Sequence, residues 1–189
     1  MEVFENLLPL SYVNEIEKVF TGPNFPWFYN KFTAYYPDNL NDDNIKDTAQ
    51  FVHGFFINGK QNSAYYPFIF PIVNRLSDAL GIDMGKKLIR IKSNLLIKDS
   101  EYPLNCYHPP HIDDVVSDVP LRTLLYYVND SDGDTLIFNQ KSHVDELKIT
   151  NRQTPKKGKA IFFDSSYLHS STPPRTHGYR IVLNFVFNM

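Results

Sequence analysis

The sequence predicts a mainly β protein with N-terminal helices, an α+β arrangement in which helices back a sandwich or barrel of short antiparallel strands. Three observations predict it. Apolar residues recur at helical spacing only ahead of Gly85; beyond it, short apolar runs follow one another at even spacing; and those runs are bounded by Pro, Gly, Asp or Asn. No internal repeat or low-complexity segment interrupts the 189 residues. Residues 1–189 therefore read as one domain, with 1–85 as helices and loops supporting a core formed by 86–189.

The first helix is expected from Ser11 as its cap through Tyr12, Val13, Ile16, Val19 and Phe20, with Gly22-Pro23 ending it. Ile69, Ile72, Val73, Leu76 and Leu80 repeat the pattern ahead of Gly81, with Pro67 and Pro71 in or just before the first turn, and predict a second helix. Between them lies an aromatic, proline-punctuated stretch containing Trp27, Tyr35 and Tyr36. It reads as long loops with room for one strand, and long irregular segments of this kind often border a binding site. From Lys87 to Lys98, Ile89, Ile91, Leu95 and Ile97 alternate with Arg90, Lys92, Asn94 and Lys98, the period of a half-buried strand. Arg90 and Asn94 then face either a pocket or solvent. Leu121–Val128 and Thr135–Phe138, separated by the turn residues Asn129 to Gly133, read as successive antiparallel strands, and Val144–Thr150, Lys159–Phe163 and Arg180–Phe187 complete the set.

Lysine and arginine total 19 against 21 acids, and no basic stripe forms, so no nucleic-acid partner is indicated. The only cysteine, Cys106, can form no intrachain disulfide and reads as an inert small residue in a reducing compartment. The first ten residues lack the basic and long apolar regions of a secretory leader, and no uncharged apolar stretch reaches membrane-spanning length. The expectation is a soluble cytoplasmic protein with no membrane partner; its oligomeric state is not legible.

His111-Ile112-Asp113 sets an imidazole and a carboxylate two residues apart, on one face of an extended chain. His169 follows the strand Ala160–Phe163 after a short turn and can complete a set of two histidines and one carboxylate. Such a set occupies one face of an octahedron and leaves the opposite positions open, as in non-haem iron(II) oxygenases. His108 precedes His111 by three residues, but Pro109-Pro110 forbids the helix that zinc ligation at this spacing would need, so it reads as a supporting or surface residue. His53, His143 and His177 have no carboxylate at ligand spacing. Arg180 opens the last apolar strand with no acid between Asp164 and the C-terminus to pair with it, and its planar fork suits a bound carboxylate; Arg175, in a loop after Pro173-Pro174, is the competing candidate.

From Leu88 to Phe187, roughly half the chain, these residues resemble the 2-oxoglutarate/iron(II)-dependent dioxygenase superfamily, and within it the prolyl-hydroxylase-like group. His111-Ile112-Asp113 is similar to the family's His-x-Asp, His169 to its distal histidine, and Arg180 to the basic residue on the distal carboxylate of 2-oxoglutarate. Thr123–Asn129 with Gly133 and Phe138, and Gly158–Phe163, resemble the strands that follow the motif and precede the distal histidine in prolyl hydroxylases. The resemblance implies a double-stranded β-helix (jelly-roll, cupin-like) core. It implies Fe(II), O2 and 2-oxoglutarate as co-substrate, ascorbate as an optional reductant, and hydroxylation coupled to decarboxylation of 2-oxoglutarate to succinate. His111, Asp113 and His169 become the catalytic metal ligands, and Arg180 and Tyr127 the co-substrate contacts. Adjacent strand residues face opposite ways, so one of Tyr126 and Tyr127 must pack in the core.

The chain departs from collagen-type enzymes, which more often use lysine in place of Arg180, and between Asp99 and Pro110. The substrate, whether a protein or peptide prolyl side chain, a small metabolite or a free amino acid, is left open. Two rivals remain: a cupin-like metal-binding β-barrel without turnover, which needs neither Arg180 nor Tyr127 facing the metal, and a zinc hydrolase, disfavoured because Asp114 would point away from Asp113 and leave no general base.

Overall fold

The computed structural model describes residues 1–34, 42–113, 119–143 and 147–189. Its elements run β1 (Glu2–Phe4), α1 (Leu10–Phe20), β2 (Phe28–Asn30), β3 (Gln50–Ile57), β4 (Lys60–Gln61), α2 (Tyr66–Ile69), α3 (Pro71–Leu80), β5 (Leu88–Ile97), β6 (Leu121–Tyr127), β7 (Thr135–Phe138), β8 (Ile149–Gln153), β9 (Ala160–Asp164), β10 (His169–Ser171) and β11 (Tyr179–Asn188). The described strands form two antiparallel sheets. The larger is ordered β1-β9-β6-β11-β5-β3-β2, with β4 paired to β3, and the smaller β10-β7-β8. This is the mainly β, double-stranded β-helix architecture that the sequence suggests.

Period-two alternation in the central strands separates two cores. On β6 and β11, Leu124, Tyr126, Ile181, Leu183 and Phe185 pack with Ile16 and Phe20 of α1 and Ile72, Val73 and Leu76 of α3. The alternate positions Leu125, Tyr127 and Val182 turn inward and meet Ile161 and Phe163 of β9 and Ile137 of the smaller sheet. The helices thus close one face of the large sheet, and the space between the sheets is the interior that houses the site.

Several local expectations need correction. Ser11 is not a cap: α1 begins at Leu10, Pro9 holds the N-cap position with an extended backbone (φ -58°, ψ 144°), and Ser11 sits exposed within the first turn. The second helical pattern is broken into α2 and α3 because Pro71 lacks the amide hydrogen a continuous helix would need. Gly81 ends α3 at φ 65°, a left-handed conformation glycine adopts without a Cβ penalty. The strand predicted over 144–150 lies later, at Ile149–Gln153, and residues 144–146 are outside the described residues. β6 and β7 are not neighbours: the turn between them carries the chain from the large sheet to the small one. β1 and β3 were not anticipated. β3 carries the mixed run Gln50–Ile57, whose His53 and Gly54 break the apolar signal, yet it pairs with β5 over most of its length.

Candidate metal and co-substrate site

The polar half of β5 does not face solvent. Lys92, Asn94 and Leu96 point into the interior alongside Arg180, Val182 and Asn184 of β11 and Leu125 of β6, lining one cavity with His111 and His169. Pairing sets the levels: Leu96 lies opposite Arg180, Asn94 opposite Val182 and Lys92 opposite Asn184. A sequence that alternates apolar and polar cannot by itself distinguish a solvated face from the wall of a polar cavity.

His111 and His169 are joined as an isolated antiparallel bridge, each backbone amide donating to the other's carbonyl, at 3.0 and 2.9 Å. The bridge fixes their rings with centroids 4.6 Å apart. In both rings Nδ1 is matched to a carbonyl, Pro109 for His111 (3.2 Å) and Tyr167 for His169 (3.1 Å). A carbonyl can only accept, so Nδ1 carries the hydrogen and Nε2 is left as a lone-pair donor, the tautomer that binds a metal. His169 Nε2 is buried and has no hydrogen-bond partner. It lies 3.4 Å from Asp113 Oδ2, and one ligand atom from each of His111, Asp113 and His169 falls within 4.8 Å of the others. This donor set fits a divalent ion. Burial and the neighbouring His169 lower the His111 pKa to about 3, keeping the ring neutral.

Asp113, 3 % exposed, is held from three sides. Thr123 Oγ1 donates to Oδ2 at 2.6 Å, Arg90 Nη2 reaches Oδ1 at 2.5 Å, and Asn184 Nδ2 lies 3.2 Å from Oδ2. Burial alone would raise its pKa, but the charges and hydrogen bonds around it, Arg90 and Lys92 among them, hold the carboxyl well below the usual range, so it is a carboxylate. Thr123 and Asn184 were missed in the sequence. Their signal was there: each is a polar residue inside an apolar strand run, at the parity that faces the interior.

Arg180 is 3 % exposed and sits at the Leu96 end of the cavity. Its Nε donates to the Gly133 carbonyl at 2.7 Å and an Nη to Thr135 Oγ1 at 2.8 Å, and among the described residues no carboxylate lies within 4 Å of it. Tyr127 turns inward and Tyr126 packs toward the helices, which settles which of the pair faces the interior. Tyr127 does not itself line the cavity: its hydroxyl donates to Thr135 Oγ1 at 3.0 Å. Thr135 therefore accepts from both Arg180 and Tyr127, and its own hydrogen is free to point at a bound acceptor. Arg175 stands apart, its backbone fixed by the Asp132 carboxylate and its guanidinium directed at the Ser100 carbonyl.

His108 is neither a ligand nor a surface residue. Its ring bonds Thr48 Oγ1 at 2.9 Å and Ser171 Oγ at 3.0 Å, and it lines the cavity. Burial, then the charge of Arg180, lowers its pKa to about 3. Below pH 6.5 the unfolded chain takes up a proton on this ring that the folded one refuses. Stability should therefore fall with falling pH, by about 1.4 kcal/mol per unit from this group, until the loss saturates near pH 3. Denaturant titrations of the metal-free protein between pH 7 and 5 should show this slope, flattened by roughly that amount in His108→Gln; equal slopes would contradict the assignment.

His53 is buried between the Pro26 carbonyl and Ser63 Oγ, and His177 pairs with Asp132 at 2.9 Å; neither approaches the triad. Trp27 packs on Phe20 and Phe25 and lines neither cavity, whereas Thr33 and Ala34 border the site. Tyr35, Tyr36 and Asp114 lie outside the described residues.

Residues 99–188, which contain the triad, Tyr127 and Arg180, match the family model described as 2OG-Fe(II) oxygenase superfamily. Over that stretch, just under half of the chain, it is similar to this superfamily. The chain matches no curated protein sequence. It is similar in fold to a 2OG-Fe(II) oxygenase family oxidoreductase from Burkholderia pseudomallei, with 12% identity, a TM-score of 0.61, and coverage of 95% of this chain and 78% of that one. It is similar as well to HygX from Streptomyces hygroscopicus, which was solved with nickel and 2-oxoglutarate bound (12% identity, TM-score 0.60, 98% and 81% covered). A prolyl hydroxylase from Trichoplax adhaerens, solved with a hypoxia inducible factor peptide, shares 13% identity at a TM-score of 0.57, with 99% and 83% covered. The donor set and the buried arginine fit the iron(II) and 2-oxoglutarate that the description of the matched family model names. Among its described residues no helix is long and apolar enough to cross a membrane.

Gly133 gives a direct test of how tightly the Arg180 end is built. A Cβ there would meet the Thr172 carbonyl oxygen at 2.6 Å and Arg180 Cδ and Pro174 N at 2.9 Å. Two of these atoms are backbone and cannot swing away. Gly133→Ala should cost about 1–3 kcal/mol of stability by overpacking and weaken 2-oxoglutarate binding by displacing the guanidinium. Thermal melting with and without the co-substrate measures both; an unchanged ligand-induced shift would show that Arg180 can yield.

Proposed function

We propose that this protein is an oxygenase that hydroxylates a C–H bond of an organic substrate, with His111, Asp113 and His169 holding iron(II) and Arg180, Thr135 and Tyr127 holding 2-oxoglutarate. One observation carries the reading. Two imidazole nitrogens freed by their own carbonyl partners converge with a carboxylate at one side of a cavity, and a buried arginine without an acid partner lines the same cavity.

Iron(II) with bound 2-oxoglutarate supplies oxygen activation: one atom of O2 enters the substrate C–H bond, the other enters succinate, and carbon dioxide leaves. The chain's residues supply position and environment. Arg180 and the Thr135 hydroxyl are placed to hold the distal carboxylate, with Tyr127 orienting Thr135 from behind. Leu96, Leu125 and Val182 give the cavity apolar walls between that end and the triad, which limits the room for water. Arg90, Thr123 and Asn184 fix the rotation of the Asp113 carboxylate, so an ion meets a prearranged oxygen. Iron content and succinate formation, measured together on the purified protein, test the reading. A metal-binding barrel without turnover would retain iron and form no succinate, and a zinc hydrolase would do neither.

A further inference from the structure

A second, outer cavity of about 480 Å³ meets the first at Thr33, Lys92 and His111, and is lined also by Arg90, Asp113, Lys141 and His143. Three basic side chains line it, and among the described lining residues Asp113 is the only acid. That one carboxylate is claimed by Arg90 and by the ion it would bind. Lys141 lies at the margin of ion-pair distance from Asp164, at 4.0 Å, and its side chain is largely exposed. Lys92 is different. It comes from the centre of the large sheet, between Gly54 and Asn184 in register, and no described acid lies within 4 Å of it. An ammonium in such a place is costly unless an anion joins it.

We propose that the outer cavity receives a small free carboxylic acid, with Lys92 as its principal contact and Arg90 and Lys141 as flanking cations. This rests on the reading of the triad as the metal site and of Arg180 as the co-substrate end. Arg180 lines only the inner cavity and Lys141 only the outer one, while Lys92 lines both, so the acid would sit on the outer side of Lys92 and 2-oxoglutarate on its Arg180 side. The volume is that of a small-molecule pocket. A peptidyl proline, the substrate that the resemblance to prolyl hydroxylases suggests, is neutral and offers these cations nothing.

The test uses the full chain loaded with manganese(II) and 2-oxoglutarate for thermal melting, and with iron(II) for succinate formation. The probes are the common free L-amino acids and short dicarboxylic acids, each beside its amide, and a neutral blocked proline peptide. At least one free acid should raise both the melting temperature and succinate formation, about tenfold more effectively than its amide. Lys92→Gln should raise the KM for that acid about tenfold or more while keeping the shift caused by 2-oxoglutarate. Lys141→Gln, at the exposed rim, should raise it by a smaller factor and serves should the Lys92 variant not fold. Amides or the peptide acting as well as the acids, no acid acting, or loss of the 2-oxoglutarate shift in Lys92→Gln would each overturn the proposal. A wild-type protein that shows no 2-oxoglutarate shift would instead overturn the parent reading, and this one with it.

Discussion

Replacing any one of His111, Asp113 and His169 by alanine should abolish succinate formation. Each contributes a ligand atom to a site whose ligand atoms lie within 4.8 Å of one another, and the two remaining donors cannot hold a dication in water against exchange. The loss should exceed the ten- to about hundredfold fall in metal affinity typical of removing an outer hydrogen-bond partner such as Thr123. Asp113→Ala carries a second effect. It leaves Arg90 without the carboxylate it pairs with at 2.5 Å and strips the acceptor from Thr123 and Asn184, so some stability should go as well. Metal analysis after gel filtration, with succinate measured on the same samples, separates the two. Full turnover by Asp113→Ala at normal iron content would remove Asp113 from the site.

Arg180→Ala should lose the stabilisation that 2-oxoglutarate confers while keeping metal affinity. A ligand at a hundredfold excess over its dissociation constant stabilises the folded state by about 2.7 kcal/mol, a rise of several degrees in melting temperature for a chain of this size. Arg180 Nε and one Nη are already fixed on the Gly133 carbonyl and Thr135, so the guanidinium is preorganised and pays little entropy on binding. Arg180→Lys should recover only part of the shift, having the charge without the fork. Melting curves with manganese(II), with and without 2-oxoglutarate, for the three proteins decide it. A full shift in Arg180→Ala would transfer the role to another cation, and Lys92 would be the first to examine, because it lines the same cavity.

Much of the site was legible because its signals are short-range or negative. His111 and Asp113 share a face by the two-residue period of an extended chain, and Arg180 stood out because no acid follows Asp164 to neutralise it. The helices and most strands of the core likewise follow from local periodicity, since burial of one face imposes it on the sequence. What failed did so for identifiable reasons. β3 was hidden because a strand at the flank of a sheet needs only a mixed pattern, and Ser11 misled because a good capping residue was pre-empted by a proline two positions earlier.

By itself the sequence determined the mainly β class, the candidate donor set and the identity of the buried arginine, since each depends on residue chemistry and spacing along the chain. Only the tertiary structure decided that the polar side of β5 faces a cavity, that the Tyr127 hydroxyl bonds Thr135, that His108 is buried beside Arg180, and that Thr123, Asn184 and Arg90 grip Asp113. These are contacts between residues tens of positions apart in most cases, such as Asn184 and Asp113 or Arg180 and Thr135. Strand pairing and sheet-to-sheet packing bring them together, and neither leaves a periodic trace in the chain that would identify the partner.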